Sequence, residues 1–233
     1  FATIMHYDIP VNLVVKYGGW KNRKLVDLFA RYAEVLFTRY KDIVDYWLPI
    51  NEINAARFAH WDGISIIADQ QEHLDQTVFQ SLHHQFLANA RAVALSKKII
   101  GKKNVGAMVA AFTIYPGTCD PRDVMQTLTD QRYSNYFYFD VMARGCYPAY
   151  MKPLFEKLNV HIQIEDGDEE LLRDNTVDFL SFSYYASQIA SVDEDFEVTT
   201  GNMAGSVYAN PYLKKSDFGW SVDNMGLRIT LNK

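Results

Sequence analysis

The run NVGAMVAAF, residues 104–112, holds no charged side chain and past its first residue is apolar or small throughout. A strand with one wet face alternates polar and apolar residues. A strand apolar on both faces belongs in a parallel sheet with helices packed on both sides. Three further strand patterns, FATIMHY (roughly 1–7), VDYWLPI (roughly 44–50) and VDFLSFSYY (roughly 177–185), are separated from it by segments of helical period. In 22–42, Leu25, Leu28, Phe29, Tyr32, Val35, Leu36 and the stem of Arg39 share a face, with Asn22 as the cap. In 75–99, Phe79, Leu82, Phe86, Ala90, Val93 and Ala94 do the same. Residues 121–145 open with Pro121 and close at Gly145, the expected helix asymmetry. The segment 186–222 reads as Gly-, Asn- and Ser-rich loop with a short hairpin. Strand, helix, strand, helix is the pattern of a parallel α/β sheet.

Pattern alone leaves an open doubly wound sheet and a (β/α)8 barrel. The polar residues favour the barrel. His6-Tyr7-Asp8, Asn51-Glu52 and Ser183-Tyr184-Tyr185 each sit at the C-terminal end of a strand pattern, and barrels build active sites from several strand ends. No Gly-rich phosphate loop follows any strand, which weakens a nucleotide-binding reading.

The net charge of −5 is interspersed, so no nucleic-acid partner is expected. The basic cluster Lys97–Lys103 reads as the end of a helix, stopped by Gly101. No run is long enough to span a bilayer and no signal-peptide pattern opens the chain, so no membrane partner is expected. Cys119 and Cys146 lack metal-ligand spacing. Neither metal nor cofactor is expected, and the cytoplasm is the expected location. Both ends read as cut through an element, so the 233 residues are expected to be a fragment.

The segment YWLPINEINA (46–55) concentrates the chemistry. It reads either as a strand-to-loop turn with an exposed glutamate or as a site. A carboxyl in a cleft lined by Trp and Tyr has its charged form disfavoured and can hold a proton to donate. Asn51 offers two donors and an acceptor to a sugar hydroxyl. His6 and Tyr185 add polar contacts, and the aromatic rings suit the C–H faces of a carbohydrate.

MHYDIPVNLVVKYGGWKNRKLVDLFARYAEVLFTRYKDIVDYWLPINEINAARF, HHQFLANARAV, YFYFDVMARGCYP, VDFLSFSYY and GWSVDNMGLR together resemble, in order, the middle of family 1 glycoside hydrolases. The resemblance implies retaining β-glycosidase activity on a (β/α)8 TIM barrel, with residues 1–233 as one partial barrel domain spanning about strands three to six. Glu52 falls on the acid/base glutamate and Asn51 on the residue that binds the 2-hydroxyl. His6 falls on a glycone contact, Tyr185 on the tyrosine that hydrogen-bonds the nucleophile, and Trp220 on the tryptophan flanking the aglycone. His60, His73, His83, His84 and His161 need no role.

Two departures narrow the resemblance. Asn-Glu-Ile-Asn replaces Asn-Glu-Pro, and Ser183 stands where many members have Asn. Both are similar to the bacterial 6-phospho-β-glucosidase branch, which implies a phosphorylated β-glucoside as substrate. An unphosphorylated β-glucosidase, a 6-phospho-β-galactosidase and a non-catalytic half-barrel are the alternatives. The family's Glu-Asn-Gly nucleophile motif does not occur in the 233 residues, so the segment alone is expected to be inactive and, with bare sheet edges, to self-associate.

Overall fold

The structure, a computed structural model, describes residues 1–233 except 102–103, 194–195 and 200–206. Two members of the basic cluster, Lys102 and Lys103, therefore lie outside the described residues. Along the chain run β1 (Ala2–Met5), α1 (Val11–Tyr17), α2 (Lys24–Tyr40), β2 (Trp47–Ile50), α3 (His60–Ile64) and α4 (Leu74–Ile99). They are followed by β3 (Gly106–Pro116), α5 (Pro121–Gln131), α6 (Phe137–Arg144), α7 (Lys152–Lys157) and α8 (Asp168–Asp174). Last come β4 (Phe179–Ala190), β5 (Val198–Thr199), β6 (Val207–Tyr208) and α9 (Asn224–Leu231). The chain forms two compact units, Phe1–Val109 with Phe137–Phe182, and Ala110–Tyr136 with Ser183–Lys233.

In the first unit β1 and β2 are parallel, with Ala2 opposite Trp47 and Met5 opposite Ile50. Trp47 bridges in parallel to Val105, and its N–H donates to the Asn104 carbonyl at 2.9 Å. The Asp178 N–H in turn donates to the Val105 carbonyl at 2.7 Å, and Ser181 Oγ donates to the Ala107 carbonyl at 2.8 Å. Both residue numbers rise together, as in a parallel pair, and β4 is the neighbour of β3 in the sheet. The parallel α/β arrangement expected from the sequence is what forms.

Helix α2 buries Leu25, Val26, Phe29, Ala33 and Phe37, a stripe at four-residue spacing, against α4. Tyr32, Val35 and Arg39, expected on that face, are exposed; a stripe through Phe29, Ala33 and Phe37 turns them outward. Asn22 caps as expected in part, its Oδ1 accepting from Lys24 N–H at 3.0 Å. Helix α4 is buried on more than the one face expected. Ser81, Gln85, Ala88, Asn89 and Ala92 are buried along with Phe79, Leu82, Phe86, Ala90 and Val93, while Ala94 is only half-buried. The reason is that α4 has neighbours on several sides, packing against α2, β2, α6 and α8. Beneath it Phe79, Phe86, Phe137, Tyr147 and Phe155 form an aromatic cluster with ring centroids 5.0–6.3 Å apart. Each such pair adds about 0.5–1.5 kcal/mol beyond its area burial.

Two expected elements differ in extent. Residues 121–145 are not one α-helix: a π-turn at Arg132–Tyr136 separates α5 from α6. Within the second unit, Asn135 Oδ1 accepts from Phe112 N–H (2.9 Å) and its Nδ2 donates to the Phe112 carbonyl (2.7 Å). That reach accounts for the extra residue in the turn. Strand β4 runs on to Ala190 because its far end pairs antiparallel with β6, Ile189 opposite Tyr208. Ser183, Tyr184 and Tyr185 are therefore mid-strand rather than at a strand end. The expected hairpin within 186–222 is present as β5 paired with β6; residues 200–206 between them lie outside the described residues.

Candidate active site

The parallel register of β1 and β2 brings the ends of the two strands side by side, and Asn51 N–H donates to the Met5 carbonyl at 2.9 Å. His6 and Tyr7 follow β1 just where Asn51 and Glu52 follow β2. Glu52 has φ 37° and ψ 57°, a left-handed conformation uncommon for any residue but glycine. Tyr7 shares the left-handed region, with φ 70°.

The turn after Glu52 is held tightly. Ala55 N–H donates to the Glu52 carbonyl at 2.7 Å, and Ile53, Asn54, Ala55 and Ala56 are all buried. Gly63 of α3 lies against the Ala55 and Ala56 backbone with no room for a Cβ, so the close approach requires glycine there. Gln85 Nε2 ties the Gly63 carbonyl to α4 at 2.7 Å. The glutamate thus stands on a braced turn rather than a loose one.

Glu52 is 7% exposed and Asn51 5%. Tyr7 donates its phenolic hydrogen to Glu52 Oε2. Glu52 Oε1 is buried and has no hydrogen-bond partner among the described residues. A buried polar atom without a partner costs free energy that native structures rarely leave uncompensated unless a ligand or a reaction uses the atom. The exposed turn glutamate of the bland alternative is therefore not what forms.

The wall around the carboxyl differs from expectation. Trp47 is 2% exposed and packs edge-on against Phe37 at 5.0 Å. Tyr46 stacks on Phe1 at 4.7 Å. At a strand's rise the five steps from Trp47 to Glu52 span roughly 16 Å, so both rings belong to the packing at the other end of β2. The aromatic side chain beside the carboxyl is Tyr7, which the sequence shows only as a strand-end polar residue. The signal that could have marked it is its place immediately after His6, in register with Glu52.

His6 is exposed, and its ring stands edge-on to Tyr7 with centroids 5.3 Å apart. The first unit therefore gathers His6, Tyr7, Asn51 and Glu52. Tyr185 and Trp220 belong to the second unit, where their rings meet at 5.5 Å and 52°. The Trp220 loop closes on itself: Ser216 N–H donates to the Trp220 carbonyl (2.8 Å) and Trp220 N–H to Ser216 Oγ (3.2 Å). The neighbour of Tyr185 has a different task. Tyr184 donates to the Asp223 carbonyl (3.0 Å), and Tyr115 donates to Asp223 Oδ2 (2.8 Å). Asp223 Oδ1 caps α9 through the N–H groups of Met225 and Gly226. Burial pushes the Tyr184 phenol up to about 12, which keeps it a donor at neutral pH. Neither Tyr115 nor Asp223 carried a sequence signal.

Among the described residues no group of three His, Cys, Asp or Glu could hold a metal ion, and no helix is long and apolar enough to cross a membrane. His83 and His84 are buried in the scaffold. His83 bridges Asp168 Oδ2 (3.2 Å) and the Tyr147 hydroxyl (3.0 Å), and His84 Nδ1 meets the Trp20 carbonyl at 2.8 Å. His60 opens the short helix α3.

Comparison with known proteins gives this arrangement a context. An aryl-phospho-β-D-glucosidase of Bacillus subtilis is 46% identical over 232 residues, 99% of this chain and 49% of its own length. A 6-phospho-β-glucosidase of Clostridium longisporum is 43% identical over 100% of this chain and 49% of its own length. Among solved structures, a β-glucosidase from Exiguobacterium marinum superposes with a TM-score of 0.78 at 26% identity, covering 99% of this chain and 51% of that one. The chain spans about half the length of the curated relatives it matches. The sequence profile of Glycosyl hydrolase family 1 matches residues 1–233, and the chain belongs to that family.

Proposed function

We propose that these residues form part of a retaining β-glycosidase acting on 6-phospho-β-glucosides, with Glu52 as its general acid/base. The observation that carries this reading is the Glu52 carboxyl itself. It is buried on a braced, left-handed turn, with one oxygen held by Tyr7 and the other without a partner among the described residues. Strain of this kind collects at functional sites, where the surrounding structure over-determines it.

In the first step a second carboxylate attacks the anomeric carbon while Glu52 gives its proton to the departing glycosidic oxygen. In the second step Glu52 takes a proton from water as that water displaces the carboxylate. The two carboxyl groups must stand about 5–5.5 Å apart. The second is supplied from outside these 233 residues, which contain no Glu-Asn-Gly sequence. Asn51 binds the 2-hydroxyl, His6 contacts the glycone, Tyr185 hydrogen-bonds the nucleophile and Trp220 flanks the aglycone. Residues 1–233 make up strands three to six of a single TIM-barrel domain, and the enzyme works in the cytoplasm on sugars phosphorylated during uptake. Support for the phosphorylated substrate comes from the relatives. Those at 39–46% identity are phospho-β-glucosidases or a phospho-cellobiase by name; near 28–29% stand both an aryl-phospho-β-D-glucosidase and a β-glucosidase of Acetivibrio thermocellus.

Two assays on the full-length enzyme test this reading. p-Nitrophenyl β-glucoside should be a far poorer substrate than its 6-phosphate; equal turnover would refute the phosphate assignment. Glu52→Gln should lower turnover of a phosphorylated disaccharide by about 100-fold or more, spare the glycosylation step with an activated aryl leaving group, and respond to azide. A loss of only a few-fold on the disaccharide would remove Glu52 from the mechanism.

A further inference from the structure

We propose that Tyr7 is a positioning residue for the Glu52 carboxyl, fixing which oxygen exchanges the proton with the substrate. This rests on the assignment of Glu52 as acid/base. The phenol of Tyr7 donates to Oε2, leaving Oε1 as the carboxyl oxygen without a partner among the described residues. With Oε2 occupied as an acceptor, the carboxyl is held against rotation and its own proton resides on Oε1. A substrate that reaches the carboxyl would take the proton from that atom.

The backbone is built for this contact. Tyr7 and Glu52 are two of the four non-glycine residues with positive φ among the described residues, and they are each other's hydrogen-bond partners. They follow adjacent parallel strands in register, Met5 opposite Ile50, so the left-handed turn at each strand end brings the two side chains together. A left-handed backbone at a non-glycine residue is strained and persists only where the surroundings hold it. The His6 ring stands edge-on to Tyr7 at 5.3 Å and 84°, limiting the swing of the phenol.

The contact also does more as the reaction advances. When the Glu52 proton passes to the glycosidic oxygen and the C–O bond breaks, the carboxyl becomes a carboxylate. The Tyr7 hydrogen bond then turns from neutral to charge-assisted and strengthens. An interaction stronger in the transition state than in the ground state raises the rate of the chemical step. On the return step, water gives its proton back to Oε1 and the bond relaxes. Tyr7 itself exchanges no proton.

The test uses the full-length enzyme with two 6-phospho-β-glucosides, an unactivated disaccharide and a 2,4-dinitrophenyl glycoside. Tyr7→Phe keeps the ring and the backbone and removes the donor. It should lower kcat/KM on the disaccharide by about 10- to 100-fold, yet by less than about threefold on the dinitrophenyl substrate, whose leaving group needs little protonation. In a Glu52→Gln background the same change should cost nothing further, because it acts through the carboxyl. Equal losses on both substrates, or losses that add in the double variant, would overturn the proposal. So would a Tyr7→Phe enzyme with wild-type kinetics beside a Glu52→Gln enzyme that behaves as expected, and that result would leave the acid/base reading intact. A Glu52→Gln enzyme without leaving-group dependence would remove both. If Tyr7→Phe does not fold, Tyr7→Leu, which also has no side-chain donor, gives the same comparison.

Discussion

Replacing Asp168 with asparagine should destabilise the protein by ~2 kcal/mol at neutral pH, and the loss should fade in acid. Asp168 opens α8 and is 2% exposed. Its carboxylate accepts from both terminal nitrogens of Arg23, from His83 Nε2 at 3.2 Å and from Glu165 N–H at 2.9 Å. It therefore joins α8 to the residue before α2 and to the middle of α4. Burial opposes its charge, but the hydrogen bonds and the Arg23 charge outweigh it and hold the carboxyl at about 2, against 3.8 when free. That gap corresponds to ~2 kcal/mol. Breaking a fully buried pair costs more, about 3–5 kcal/mol. The lower figure applies because Arg23 is 29% exposed at its side chain and keeps Glu165 at 3.1 Å. The folded value lies below the unfolded one, so the contribution is complete above pH 5 or so. It is about half gone by pH 3 and vanishes as pH falls through about 2. Urea titrations of wild type and Asp168→Asn at pH 7 and pH 3 measure it. A gap below about 0.5 kcal/mol at pH 7, or one that does not narrow at pH 3, would refute the reasoning.

Gly226→Ala should destabilise the second unit by about 1–3 kcal/mol despite the better helix propensity of alanine. A methyl there would meet the Tyr184 hydroxyl, so adding Tyr184→Phe should recover part of the loss in a thermal melt. The 233-residue chain purified by itself should turn over no phospho-β-glucoside and should sediment as an oligomer or aggregate. It carries one candidate catalytic carboxylate, and among the described residues β1 has a single hydrogen-bonded neighbour strand. An active monomer would defeat both points.

The parallel sheet was legible because both of its signals are local. Apolar runs mark strands covered on two faces, and four-residue spacing marks helices. Gly101 and Gly145 end their helices as expected, with φ of 72° and 71°. The π-turn was not legible, because its cause is the Asn135 amide reaching the backbone of Phe112, 23 positions away in the chain. The length of β4 escaped for a related reason: pairing with β6, not composition, decides where it stops. Helix α1 buries none of its residues, so no amphipathic stripe announced it. At the site, Asn51 and Glu52 stood out through their abrupt polarity after an apolar strand. Tyr7 did not, since its importance lies in a register that only pairing creates. Tyr185 was read from its polar strand pattern and Trp220 from resemblance alone, and their ring contact supplies a physical reason to consider them together.

The left-handed backbone at Glu52 sets stability and turnover against each other at one codon. Glycine at this position would relieve on the order of 1–3 kcal/mol of strain, offset in part by the lost Tyr7 hydrogen bond, and remove a buried oxygen that has no partner among the described residues. If Glu52 is the acid/base, that more robust protein would be a poor catalyst. A laboratory selection for heat tolerance alone would therefore tend to discard this glutamate. Natural sequences that keep it accept a weaker fold in return for chemistry, and any stabilisation campaign should hold residue 52 constant while it searches elsewhere.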